Sequence, residues 1–168
     1  MVILLGFEDE TWLGLQPYIT NTYMMKGEQQ KIFHKGSNRK INAFITLLYP
    51  SNKVKFKISE SRTSTDFIDH LKNIRNYIKK NKIKRFILIT DNASFHVSRK
   101  TKQLIESQSD WLTVIFLPKR SPNLNPVETR VNRNLKKDLC ANHNYGTEEN
   151  LTYAVTRYLR CRGSWPKL

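Results

Sequence analysis

The sequence predicts an α/β domain in which a mixed β-sheet is covered by helices. Three observations carry that reading. Short apolar runs crowd the first sixty residues; Lys53-Val54-Lys55-Phe56-Lys57-Ile58 alternates strictly; and two further apolar runs, Phe86–Thr90 and Leu112–Leu117, are separated by a helical pattern. Early antiparallel strands joined to helix-separated parallel strands give a mixed sheet with helical cover.

In chain order, Val2–Phe7 reads as a short buried strand emerging at Glu8-Asp9-Glu10, with a second strand through Trp12, Leu13 and Leu15 ending near Gln16-Pro17. Residues 20–38 are polar and contain Gly27 and Gly36, so a long connection in contact with substrate is expected there. Lys40–Tyr49 has strand character, Pro50-Ser51-Asn52 is a turn, and residues 53–58 form a half-exposed strand with its lysines outward. Thr63 or Ser64 can cap a helix reaching about Asn81, with Phe67, Ile68, Leu71, Ile74, Tyr77 and Ile78 at i, i+3, i+4 spacing. Ile83–Thr90 is a strand, Val97–Gln108 a helix capped by Ser98 or a neighbour, and Trp111–Leu117 a strand. Helices from about Pro126 to Leu139 and Thr147 to Arg162 close the chain. No repeat, low-complexity segment or linker interrupts it, so residues 1–168 read as a single domain.

The charge is unusual in sign rather than amount. Charged residues make up 26%, yet 29 bases face 14 acids, a net charge of +15. The excess is even: residues 1–84 hold 15 bases and 7 acids, residues 85–168 hold 14 and 7. A whole domain of pI near 10.0 points to a polyanionic partner, nucleic acid before an anionic membrane surface. Cys140 and Cys161 lack CxxC spacing and fit reduced thiols in a helical region. The four scattered histidines give no zinc pattern, and no apolar stretch approaches the roughly 20 residues of a membrane span. Val2–Leu5 is too short for a signal sequence, so the chain reads as soluble and intracellular.

Three acids sit where an apolar element meets a loop: Asp9, Asp91 and Glu128. Hard carboxylate oxygens in such positions suit Mg²⁺ or Mn²⁺, and two ions roughly 3.5–4 Å apart can assist an in-line phosphoryl displacement. Each acid also has a plainer reading. Asp91 with Asn92 fits a turn after a strand. Glu128 fits a helix start, with Asn125 as N-cap, Pro126 at N1 and Glu128 at N3 in a capping-box variant. Asp9 is flanked by Glu8 and Glu10, which share the opposite strand face. His96 is a polar loop residue or a ligand.

Phe7-Glu8-Asp9-Glu10, Thr90-Asp91-Asn92-Ala93 with His96, and the block from Leu117 through Pro118-Lys119-Arg120-Ser121-Pro122-Asn123-Leu124-Asn125-Pro126-Val127-Glu128 resemble the signatures of IS630/Tc1/mariner transposases. The resemblance runs from Phe7 to the last helices, and its most specific part is the Ser121–Glu128 block. It implies a ribonuclease H-like catalytic domain of DDE type that cleaves DNA and transfers strands. Asp9, Asp91 and Glu128 would be the metal-binding and catalytic triad, with Mg²⁺ or Mn²⁺ as a pair of ions. It implies DNA as partner, both element ends and target, a cytoplasmic location on DNA, and a homodimer as a compatible assembly. Such enzymes usually carry N-terminal helix-turn-helix modules. Here Met1 leads straight into the first strand, so a separate N-terminal recognition polypeptide is one expectation. Lys119, Arg120, Arg133, Lys136, Lys137 and His96 are the expected DNA contacts; Arg133, Lys136 and Lys137 share a stripe by i, i+3, i+4 spacing. Competing readings are a ribonuclease H-like nuclease or resolvase without strand transfer, and an inactive DNA-binding remnant.

Overall fold

A computed structural model describes residues 3–29, 31–119 and 121–161. Five strands form one sheet: β1 (Ile3–Gly14), β2 (Lys40–Tyr49), β3 (Lys53–Ser59), β4 (Arg85–Thr90) and β5 (Leu112–Phe116). Their spatial order is β3-β2-β1-β4-β5. β1 pairs antiparallel with β2 and parallel with β4, while β2–β3 is antiparallel and β4–β5 parallel, giving the expected mixed sheet.

Helix α1 (Ser64–Lys80) joins β3 to β4, and α2 (Arg99–Ser107) joins β4 to β5. After β5, a helical stretch over residues 127–140, α3, begins and ends with wide π-type turns (Val127–Asn132 and Lys136–Cys140) around Arg133–Leu135. Helix α4 (Glu148–Cys161) completes the fold. Among the described residues no helix is long and apolar enough to cross a membrane. Cys140 and Cys161 are both free thiols in helical segments, the first buried and the second exposed.

Two differences from the expected elements matter. The segments expected as two strands, before and after Glu8-Asp9-Glu10, are one twelve-residue strand. The three acids do not break it, because each finds a partner from a distant part of the chain. The β3 lysines also do not simply face water. Lys57 lies 3.4 Å from carboxylate oxygens of both Asp66 and Asp69, and the Lys55 ammonium sits 4.0 Å from the Tyr77 ring centre. Their stems cover the edge of α1 while the charges find acids or an aromatic face.

Strand alternation sorts the core into two layers. Ile41, Ala43, Ile45 and Leu47 of β2 pack with Val127, Val131 and Leu135 of α3 and Leu151, Val155 and Leu159 of α4. Phe44 and Leu48 point the other way and join Phe67, Leu71, Ile74 and Ile78 of α1 with Phe86 and Leu88 of β4. Thr63 starts α1: its hydroxyl accepts from the Asp66 N–H, and the Asp66 carboxylate accepts from the Thr63 N–H, a complete capping box. Burial opposes ionisation of Asp66, but hydrogen bonds from Ser59, Thr63 and Ser61 outweigh it and hold the acid well below the usual carboxylate range. Ser98 caps α2 by accepting from the Thr101 N–H.

Gly6 lets β1 pass under the Phe86 ring. A Cβ at this position would lie 2.5 Å from Phe86 Cζ and 3.0 Å from Thr46 Cγ2, and Phe86 is fully buried. Gly6→Ala is expected to cost about 1–3 kcal/mol through overpacking, read as a lower denaturation midpoint at unchanged slope. A midpoint equal to wild type would show that the ring moves freely.

The described residues of 15–39 form no helix or paired strand beyond a single bridge between Tyr18 and Ala141, in keeping with the long connection expected there. Their anchors are the Leu15 N–H to Arg39 carbonyl bond, 3.0 Å, and the Asn142 side chain, which hydrogen-bonds Thr20.

Candidate metal centre

The sheet register brings two of the three acids level. The parallel β1–β4 ladder ends at Phe7 opposite Ile89, so two residues further along each chain Asp9 comes level with Asp91. Phe86, Leu88 and Thr90 are the buried side of β4; alternation therefore continues Asp91 onto the other face, which Asp9 shares. β5 runs beside β4 with Thr90 opposite Phe116, and the Leu117 N–H donates to the Thr90 carbonyl at 2.8 Å. Asn92 ties the two strand exits together by donating to the Leu117 carbonyl at 2.6 Å.

The third acid arrives on α3. Asn125 is buried, and its Oδ1 accepts from the Val127 N–H at 3.0 Å, the bond expected of an N-cap. Its Nδ2 donates to the Glu8 carbonyl at 2.8 Å, pinning the helix start onto β1. The helix therefore begins over the strand that carries Asp9. The reciprocal half of the expected capping box is not formed: Glu128 is exposed and turns to the cavity in front of the sheet.

Asp9, Asp91 and Glu128 line one cavity of about 330 Å³, together with Asn92, Leu117, Lys119 and Ser121 among others. The larger cavity, about 570 Å³, lies elsewhere, around Trp12, Lys40 and Lys136. It holds none of the three acids, so size alone does not mark the chemical site. Burial is the main reason that the Asp9 carboxyl is pushed up to about 7, and the charges of Glu10, Glu128 and Asp91 add to it. Asn132, one helical turn after Glu128, donates from Nδ2 to Asp9 Oδ2 at 2.7 Å. Asp91 behaves oppositely. Its hydrogen bond from His96 holds its pKa below the usual carboxylate value despite partial burial, with help from the Ala93 N–H, 2.9 Å from Oδ1. Three acids, two of them exposed and one resisting ionisation through burial first and its acidic neighbours second, form a set of hard oxygen donors whose repulsion a divalent cation would relieve.

His96 does not take the place expected of a DNA contact. It is fully buried, because its ring nitrogens are occupied by carboxylates and its faces by aromatic rings. Nδ1 lies 2.9 Å from Asp91 Oδ1; Nε2 lies 2.7 Å from Glu10 Oε1 and 3.1 Å from Glu8 Oε2. Burial opposes its charge, but the hydrogen bonds to Asp91, Glu10 and Glu8 prevail and push the imidazolium up to about 12. Glu10 is pushed up to about 7, by burial first and then by Glu8.

The other expected contacts divide. Lys119 lines the acid cavity, and Arg120 lies outside the described residues. Arg133 and Lys136 line an adjoining depression with Glu128, Thr129 and Asn132. Lys136 continues into the larger groove, where its ammonium lies 5.4 Å from the Trp12 ring centre and that of Lys40 lies 5.9 Å from it. Lys137 is exposed on α3 outside both depressions.

Glu8, Glu10 and Asn132 escaped the sequence reading as parts of the site. The signals were present: two acids on one face of an apolar strand, and an asparagine at i+4 from Glu128.

A family model described as "DDE superfamily endonuclease" matches residues 5–152. The chain is 28% identical over 160 residues to the "Insertion element IS630 uncharacterized 39 kDa protein" of Shigella sonnei, covering 95% of this chain and 46% of that protein. Its fold is similar to the "Mos1 transposase paired-end complex with left transposon end", with TM-score 0.72, 17% identity, and 95% and 50% of the two chains covered. It is likewise similar to the Mos1 mariner paired-end complex with Mn, with TM-score 0.71, 16% identity, and 95% and 51% covered. The chain thus spans about half the length of these relatives. At such identities the structural likeness speaks for the fold, and it bears out the ribonuclease H-like α/β sheet expected from sequence. With the family model covering nearly the whole chain, the protein belongs to the DDE superfamily endonucleases.

Proposed function

We propose that this chain is the catalytic domain of a transposase, cutting DNA strands and joining them to a target with Asp9, Asp91 and Glu128 as metal ligands. The observation that carries the reading is the convergence of these three carboxylates, from β1, the β4 exit and the start of α3, on one cavity within a protein of net charge +15. Two divalent cations, Mg²⁺ or Mn²⁺, would supply activation of the attacking oxygen and stabilisation of the leaving one. Mn is present in the related Mos1 paired-end complex, which supports the choice of ion.

The chain's own residues do the placing. Asn132 orients Asp9 through its 2.7 Å hydrogen bond, Asn125 sets the helix start that presents Glu128, and Asn92 holds the β4 and β5 exits together. Lys119 stands at the cavity rim to receive a phosphate, with Arg120 beside it in sequence. Arg133 and Lys136 extend the positive track from the acids toward Trp12. Lys137 joins that track as an outlying phosphate contact. A homodimer and a separate N-terminal recognition polypeptide remain part of the proposal, as does action on DNA in the cytoplasm.

Nicking of supercoiled plasmid in Mn²⁺, run beside Glu128→Gln, tests the reading. Wild type is expected to nick only with metal, and the variant not at all. Equal nicking by both, or nicking in chelator, would overturn it. A pre-cut element end offered with target DNA separates transposase from nuclease or resolvase: joined products support the first, hydrolysis alone the second.

Lys119→Ala and Arg120→Ala are expected to weaken DNA binding for every sequence. Each should flatten the dependence of log affinity on log salt by about one phosphate contact. An unchanged slope would remove the loop from the DNA interface.

A further inference from the structure

We propose that His96 is a positioning residue for Asp91, held in turn by Glu10 and Glu8, so that a buried carboxylate–imidazole–carboxylate relay sits behind the metal centre. The inference rests on the metal-ligand role proposed for Asp91 and adds a layer to it. Asp91 stands beyond the last residue of β4, on a loop, with its side chain 53% exposed. One backbone N–H, from Ala93, reaches its Oδ1. A carboxylate so placed has freedom to rotate, and a metal ligand that rotates binds poorly.

His96 removes that freedom. Its Nδ1 shares Asp91 Oδ1 with the Ala93 N–H at 2.9 Å, which leaves Oδ2 as the oxygen without these bonds. The imidazole is itself fixed on every side. Phe67 and Phe95 meet it edge-on, with ring centres 4.4 and 4.5 Å away. Nε2 faces Glu10 Oε1 at 2.7 Å and Glu8 Oε2 at 3.1 Å, and the Thr90 hydroxyl donates to that same Glu8 oxygen at 2.7 Å. Carboxylate oxygens thus stand close to both ring nitrogens, and the ring is held between them.

The anchors lie on the sheet face opposite Asp9. Glu8 and Glu10 alternate with Asp9 along β1, so one strand supplies a ligand to the front of the site and its support to the back. A carboxylate buried without charge compensation is costly, and two adjacent ones more so. The same pair would therefore hold the imidazolium in place firmly. Outer-layer partners of this kind orient metal ligands, and their loss typically lowers metal affinity or activity about 10–100-fold.

A purely structural role for the cluster predicts lost stability at unchanged metal affinity. The two differ in titrations of Mn²⁺ against the purified chain, following free Mn²⁺ by electron paramagnetic resonance, beside melting curves taken without metal. His96→Gln places its amide near the Nε2 position and abandons Asp91. Its Mn²⁺ affinity is expected to fall roughly 10–100-fold. His96→Asn places an amide donor near Nδ1 and should recover most of that loss, even if it melts lower. Equal Mn²⁺ affinity in wild type and His96→Gln would overturn the proposal, as would an equal loss in both variants. Should neither His96 variant fold, Glu10→Gln decides, because its amide oxygen keeps an acceptor for Nε2 while the anchoring charge is gone. Weaker Mn²⁺ binding at a retained fold supports the relay, and unchanged binding overturns it. Asp91→Asn serves as the control for the underlying reading. If it leaves Mn²⁺ affinity intact, the metal centre itself fails; if it abolishes binding while His96→Gln does not, the relay alone fails.

Discussion

Asp9→Asn is expected to abolish metal-dependent cleavage and at the same time to raise the melting temperature of the metal-free protein at pH 8. The carboxyl of Asp9 is pushed up to about 7, by burial first and then by Glu10, Glu128 and Asp91. An acid whose folded value exceeds its unfolded value, about 3.9, destabilises the fold as pH rises from roughly 4 through 7. Above pH 7 the wild type carries that penalty in full, and a neutral amide removes it. The amide oxygen can still accept from Asn132, so the bond at 2.7 Å need not be lost. Discounted for solvent screening of a half-buried group, a relief on the order of 1–2 kcal/mol corresponds to about 2–8 °C. At pH 4 both proteins are neutral at this position, and the difference should vanish. Millimolar Mn²⁺ should reverse the order at pH 8, since a ligand that binds only the native state stabilises by about 2.7 kcal/mol at a hundredfold excess over its dissociation constant. Mn²⁺ binding by wild type should also weaken below pH 7, where a proton competes for Asp9. A metal-free melting temperature that falls on mutation at both pH values would make Asp9 a structural residue.

Asp91 does not share this behaviour, although crowding of three acids alone suggests that it should. Its ionised form is favoured by His96, so Asp91→Asn gives up a charge-assisted hydrogen bond and gains no comparable relief. Nothing near Asp91 in sequence announces that bond except a histidine five residues later.

Asp91 and Glu128 were legible because each lies where a strongly patterned element stops or starts. Phe86–Thr90 has only one plausible end, and Asn125-Pro126 only one plausible helix to start. The break expected in β1 shows the opposite case. Glu8-Asp9-Glu10 looks like a solvated turn in any local window, because burying three acids in a row is unfavourable without partners. The partners come from far away: Thr90 is 82 positions from Glu8, and Asn132 is 123 from Asp9. His96 failed as an expected DNA contact for the same reason. A basic side chain near a metal site reads as a phosphate ligand until the acids surrounding it are placed. Element ends shifted by a residue or two elsewhere, as where α2 begins at Arg99 rather than Val97.

Glu128 and Asn125 should separate catalysis from folding most sharply. Glu128 is exposed, turns to the acid cavity and makes no return bond to the helix cap. Glu128→Ala is therefore expected to keep stability within about 0.5 kcal/mol of wild type while abolishing cleavage. Had the full capping box formed, the alanine would cost a measurable fraction of a kcal/mol more. Asn125→Ala should do the reverse in stability. It removes the acceptor for the Val127 N–H, a loss of about 0.5–2 kcal/mol, and strips the Glu8 carbonyl of the amide that reaches it across the sheet, a further 1–3 kcal/mol if the carbonyl stays dry. Cleavage should fall as well, because the start of α3 is no longer pinned above Asp9 and Glu128 loses its place. Asn125→Asp distinguishes the two losses, since a carboxylate keeps the acceptor for Val127 but cannot donate to Glu8. Urea denaturation and plasmid nicking on the four proteins measure both axes. If Asn125→Ala melts with wild type and still cuts, the helix start is held by packing of Val127, Val131 and Leu135, and the cap plays no part in presenting the third acid.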